Sequence, residues 1–161
     1  MRYRYIILLA ALIAALDQAS KFAVERSIAP HDVIPLTGFF NLVNVRNRGA
    51  AFGFLNDPNM QWQFWFFCAA TLLAVVVVFY IARSASEKDK TLFFSLGCIL
   101  GGAVGNLTDR IRYRAVVDFL DFHYAGWHWP AFNVADVAIC IGAGLAALLI
   151  WRAPARPPKD S

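Results

Sequence analysis

Charge is scarce in this chain. Asp, Glu, Lys and Arg make up only 16% of its 161 residues while 59% are hydrophobic, and its mean hydropathy is +0.51. An ordinary soluble domain carries roughly a quarter charged residues, so the composition argues against one. Cysteine and histidine are also sparse, at three each. Cys68, Cys98 and Cys140 fall one in each of three apolar stretches without CxxC spacing, which excludes a disulfide framework and leaves them as packing residues. His31, His123 and His128 lack zinc-ligand spacing, so no metal or other cofactor is expected. There is no G-x-S-x-G, and the scattered histidines offer no Ser-His pair. Internal repeats and low-complexity linkers are missing too. The formal net charge of +4 is better read by position than as a nucleic-acid footprint, and no nucleic-acid partner is expected.

What the chain does have is long apolar runs, at about Tyr5–Val24, Trp62–Ala82, Thr91–Ile111 and Asn133–Trp151. Each approaches the roughly 20 residues needed to cross a hydrocarbon core. The chain therefore reads as one integral membrane domain over residues 1–161, with a disordered, proline-rich tail at 153–161. Arg2 and Arg4 precede the first run as in a signal peptide, but no small-residue cleavage site ends it, so it reads as a retained span. Gly97, Gly101 and Gly105 form a small-residue ridge suited to close helix approach. Arg2, Arg4, Arg83, Lys88, Lys90, Arg152, Arg156 and Lys159 all fall on one side of a four-span protein. The positive-inside rule makes that side cytoplasmic and puts both termini there, although Arg46, Arg48, Arg110, Arg112 and Arg114 lie opposite. Residues 31–56, β-branched and broken by Pro35 and Gly38, predict a small outer sheet. The aromatic segment 119–131 predicts a piece lying at headgroup level.

Polar residues gather at the outer ends of the spans. Asp17 and Lys21 are spaced i,i+4 and can pair. Asn106, Asp109 and Arg110 share one helix face, where they either satisfy each other or leave Arg110 free to clamp a carbonyl or carboxylate. Asn133 and Asp136 have the spacing of a capping box ahead of the last span. Asp118 sits among apolar residues, where an acid's pKa rises unless a cation or donor compensates. Two acids in one site would share a proton and activate water, as aspartic proteases do. Spacing alone leaves that pair open among Asp109, Asp118 and Asp136. Arg46 to Gly53 reads either as a turn or as a strip that pairs with an extended peptide.

Five blocks in order resemble the lipoprotein signal peptidase family, bacterial signal peptidase II, over nearly the whole chain. They are Asp17-Gln-Ala-Ser-Lys21, Asn47-Arg-Gly-Ala-Ala-Phe52, Gly101-Gly-Ala-Val-Gly-Asn-Leu-Thr-Asp-Arg110, Val116-Val-Asp-Phe119 and Phe132-Asn-Val-Ala-Asp136. The resemblance implies an all-α membrane protein of four transmembrane helices. A small extracytoplasmic β-cradle would lie between helices 1 and 2, and a short interfacial helix between helices 3 and 4. It implies a monomeric aspartic endopeptidase of the inner membrane, surrounded by membrane lipids, that cuts diacylglyceryl-modified prolipoproteins before the lipidated cysteine. Asp118 and Asp136 would be its catalytic pair; Asn47, Gly49, Asn106, Arg110 and Asn133 would line its substrate pocket. Asp17, Lys21 and Asp109 would support the site. Arg48 departs mildly from the small polar residue often found there. Two rival classes are a small transporter or proton relay and a non-enzymatic lipoprotein-binding scaffold. Charges near one surface and the lack of inverted repeats count against transport.

Overall fold

A computed structural model of the chain describes residues 2–49 and 62–152. Ala50 to Phe52 of the second block and the tail at 153–161 lie outside these residues. The helices are α1 (Arg2–Ser27), α2 (Trp62–Ser84), α3 (Lys90–Tyr113) and α4 (Val134–Arg152). All four are long and apolar enough to cross a membrane. Their outer faces carry exposed Leu72, Val76, Tyr80 and Ile150, an arrangement suited to lipid rather than water.

α3 is the axle of the bundle. Within its most apolar stretch 61% is buried, against 11–22% in the other three helices. The glycine ridge makes this possible, since it lies along α1. A Cβ on Gly97 would sit 2.8 Å from the Leu9 side chain, one on Gly101 2.8 Å from the Ala10 carbonyl, and one on Gly105 2.6 Å from an Asp17 carboxylate oxygen. On its other side α3 meets α4, where Ser95 Oγ donates to the Gly142 carbonyl at 2.7 Å. With lipid outside, such close packing and interhelical hydrogen bonds supply the association that hydrophobic burial supplies in water.

The sheet departs from expectation. Its strands are β1 (Val33–Thr37), β2 (Phe40–Asn47), β3 (Val116–Tyr124) and β4 (Trp127–His128), all antiparallel in the order β1-β2-β3-β4. The sheet is thus shared between the α1–α2 and α3–α4 connections, and among the described residues the latter holds strands instead of the expected interfacial helix. The molecule is four helices plus a sheet, not all-α. The local chemistry accounts for this. α3 stops at Arg114, whose left-handed backbone (φ 56°) lets its N–H bond the Arg110 carbonyl at 2.9 Å. Val116 to Tyr124 is then rich in β-branched and aromatic residues suited to a pleated surface. Ala125 and Gly126, both at positive φ (49° and 81°), make the two-residue turn into β4.

One irregularity between β2 and β3 positions the site. Leu42 pairs with Leu120 but Val45 pairs with Asp118, so β2 spends one extra residue between the two pairs. Such a bulge reverses which face the following residues occupy. Beyond it Asn47 shares a face with Asp118, while Asn44 donates to the Ile28 carbonyl at 2.8 Å.

Candidate functional site

The supporting layer is a buried ion triad. Lys21 of α1 is 2% exposed, and its ammonium lies 2.8 Å from Asp17 Oδ2, 2.8 Å from Asp109 Oδ2 and 3.2 Å from Asn106 Oδ1. An ammonium has three donors, and all three are used. The carboxylates are equally engaged. Asp17 Oδ1 accepts the Ala135 N–H at 2.9 Å, which satisfies an orphan donor in the first turn of α4. Asp109 accepts Gln18 Nε2 at 2.8 Å and the Val117 N–H at 3.1 Å. Three helices and β3 are tied together at this point. The expected i,i+4 pair of Asp17 and Lys21 is present.

Above the triad lies a chain of amides and acids. The capping box is realised: the Asp136 N–H donates to Asn133 Oδ1 at 3.0 Å, and the Asn133 N–H to Asp136 Oδ2 at 3.3 Å. Asn133 Nδ2 donates to Asp118 Oδ1 at 2.7 Å, and Asn47 Nδ2 to Asp118 Oδ2 at 3.1 Å. Asn106 Nδ2 donates to Asp136 Oδ1 at 2.8 Å. Asp118 is nearly enclosed. Burial first, and the charge of Asp136 second, push its carboxyl up to about 7, against the lowering effects of Asn47, Asn133 and Lys21.

Asp118 and Asp136 open on a cleft of about 570 Å³ that Asn47, Gly49, Asn106 and Arg110 also line. Its remaining wall is apolar, with Val137, Cys140 and Ile141 of α4 leading down the helix. The Arg110 guanidinium stacks 4.2 Å from the Phe67 ring centroid and reaches the Gly49 carbonyl only at 3.4 Å. Its Nε is buried with no hydrogen-bond partner among the described residues. Nη1 and Nη2 make only long contacts, to the Asn106 carbonyl at 3.5 Å and the Gly49 carbonyl at 3.4 Å, and these are the donors left for a ligand carbonyl in the cleft. A larger groove of about 850 Å³ runs between α2, α3 and α4 at the far end, walled mostly by aliphatic side chains.

The ten residues singled out from the sequence thus fall into two layers. Asp118, Asp136, Asn47, Gly49, Asn106 and Arg110 line the cleft. Asn133, Asp17, Lys21 and Asp109 lie buried behind it. Sequence reasoning missed Gln18, which bonds Asp109, and Phe67, which carries Arg110. It also missed a second cluster on the sheet, where Asp121 meets Asn41 Nδ2 at 2.8 Å and His128 Nδ1 at 2.9 Å. Burial there raises the Asp121 pKa, but the Asn41 and His128 hydrogen bonds outweigh it and hold the carboxyl below its ordinary value. The alternation of Asp121 with Asp118 along one strand was a signal for neither cluster, because the strand itself was not foreseen.

Comparison with known proteins identifies the family. Residues 9–152 match the family model described as signal peptidase (SPase) II. A lipoprotein signal peptidase of Nitratidesulfovibrio vulgaris (strain DP4) is 55% identical over 96% of this chain and 93% of its own. One of Oleidesulfovibrio alaskensis is 53% identical over 94% of this chain and 97% of its own. A solved bacterial membrane enzyme superposes with a TM-score of 0.82 at 26% identity, covering 97% of this chain and 93% of that one. A family match over most of the chain, relatives sharing half its residues and a common fold agree: the chain belongs to the signal peptidase II family of lipoprotein signal peptidases.

Proposed function

We propose that this membrane protease removes signal peptides from diacylglyceryl-modified prolipoproteins by water activated between Asp118 and Asp136. The observation that carries this reading is the meeting of two acids at one cleft, joined through Asn133, which donates to Asp118 and accepts from the Asp136 N–H. Asp118, its carboxyl pushed up to about 7, holds a proton, and Asp136 faces it as the base. Asp136 takes a proton from water as the water oxygen attacks the scissile carbonyl carbon, while Asp118 protonates the carbonyl oxygen. Collapse of the tetrahedral intermediate returns that proton to Asp118. The C–N bond breaks, and Asp136 passes its proton to the departing amine of the lipidated cysteine. Arg110, whose Nη1 and Nη2 make only long contacts within the protein, holds a substrate carbonyl and steadies the developing charge. Asn47, whose Oδ1 accepts the Gly49 N–H at 3.0 Å, shapes the rim along which the extended peptide lies.

The apolar wall of α4 lets the acyl chains stay in lipid beside the cleft, so one copy of the chain suffices. The cationic loops favour cytoplasmic termini and a cleft at the outer face of the inner membrane, against the arginines at 46, 48, 110, 112 and 114 on the opposite side. A scaffold needs neither two acids at one cleft nor their titration, and charges gathered near one surface count against a transporter or proton relay. The test is a gel-shift assay with a diacylglyceryl-modified prolipoprotein. Asp118→Asn and Asp136→Asn should each abolish cleavage while remaining folded and inserted. Substantial cleavage by either purified variant would refute the pair.

A further inference from the structure

We propose that Lys21 is a positioning residue for the catalytic pair, acting through the Asn106 amide, and that the buried triad has this task as well as a structural one. The proposal rests on the dyad reading above. An asparagine amide can turn over, exchanging its oxygen and nitrogen with little change of shape. If Asn106 turned, its oxygen would face Asp136 Oδ1 and repel it, while its NH2 would face the Lys21 ammonium. Lys21 closes off that option. Asp17 and Asp109 take two of its protons, and its third N–H meets Asn106 Oδ1 at 3.2 Å. Asn106 Oδ1 also accepts Asn133 Nδ2 at 3.2 Å, and Nδ2 is then aimed at Asp136 Oδ1 at 2.8 Å. The amide that orients one acid is therefore held by a cation that touches neither acid. Asn133 in turn carries the alignment to Asp118 at 2.7 Å.

The groups around this relay are few. Asp17 and Asp109 flank Lys21. Asp118 is faced by Asp136 from α4, by Lys21 from α1 and by Arg110 from α3. Lys21 lowers the Asp118 pKa, so its removal pushes that acid further up. A residue that merely held α1 to α3 would leave the amide orientation alone.

The test uses purified full-length protein, the lipid-modified prolipoprotein substrate and single-turnover rates. Lys21→Gln should lower kcat by roughly tenfold to a hundredfold with KM little changed, the size expected when a catalytic group is misplaced. Its alkaline limb in the pH–rate profile should move to higher pH. In an Asn106→Ala background the same change should add little, because the relay is already cut. Lys21→Arg guards against a variant that fails to fold. It keeps the charge and the carboxylate partners, but a planar fork cannot aim donors at three acceptors on three sides. It should lose kcat with its alkaline limb unmoved. Wild-type kcat in either variant, or a Lys21→Gln loss that is undiminished in the Asn106→Ala background, would overturn the proposal. Both results stand apart from the dyad test, which turns on Asp118→Asn and Asp136→Asn alone.

Discussion

Asp109 and Asp118 lie nine positions apart, and nothing in their immediate neighbours says which one is available for chemistry. The difference is tertiary. Lys21, Gln18 and the Val117 N–H consume the lone pairs of Asp109, whereas Asp118 receives only neutral amides and faces another acid. That is why spacing left the pair open and only the family blocks singled out Asp118. The titration of Asp118 gives a prediction with a definite sign. Its folded pKa of about 7 lies above the ordinary 3.8, so between these values the folded protein holds a proton that the unfolded chain releases. The associated stability is full below the lower value and is lost as pH rises through about 7. Each tenfold difference in proton affinity between the folded and unfolded chain is worth about 1.4 kcal/mol, which makes the loss on the order of a few kcal/mol. Thermal unfolding between about pH 5 and 8 should show this decline in the wild type and a flatter profile in Asp118→Asn. Cleavage should fall over the same upper range as the proton-donating form disappears, visible in kcat against pH.

Helices and strands differed in how openly the sequence declared them. The four helices were legible to within three residues at each end, because a bilayer demands long unbroken apolar runs and the chain has little else of that length. The glycine ridge was legible too, and its partner is α1. Gly105→Ala would drive a Cβ to 2.6 Å from Asp17 Oδ2, beside the Lys21 triad, whereas Gly144 has open space around it. Overpacking of this kind costs about 1–3 kcal/mol. Gly105→Ala should lower the unfolding midpoint in detergent, and Gly144→Ala should leave it nearly unchanged. The β3–β4 hairpin was not legible. Its aromatic residues suit a membrane interface as well as a strand, and its partner β2 pairs with it across 69 to 82 positions of chain. The β2 bulge was further out of reach, since it follows from strand pairing rather than from any local residue signal. Without that extra residue Asn47 would turn away from Asp118.

At the scale of the whole molecule, one end of the bundle is closed by a sheet drawn from two distant connections, and the site lies where α1, α3, α4 and that sheet converge. Membrane residence and family were readable from the chain, while this convergence had to be seen. The triad carries one further consequence, for synthesis rather than catalysis. α1 leaves the ribosome long before Asn106 and Asp109 exist, so it must enter the bilayer with Asp17 and Lys21 answering only each other. Their i,i+4 spacing lets the apolar stretch Tyr5–Val24 enter with its two charges cancelling and in register until α3 arrives. A lone charge in a span costs roughly 2.5–3.5 kcal/mol on insertion scales near a helix centre. In a translation assay of membrane integration, Asp17→Ala or Lys21→Ala alone should not improve insertion of α1, whereas removing both together should. The spacing that serves the finished site also serves as the segment's passport into the membrane.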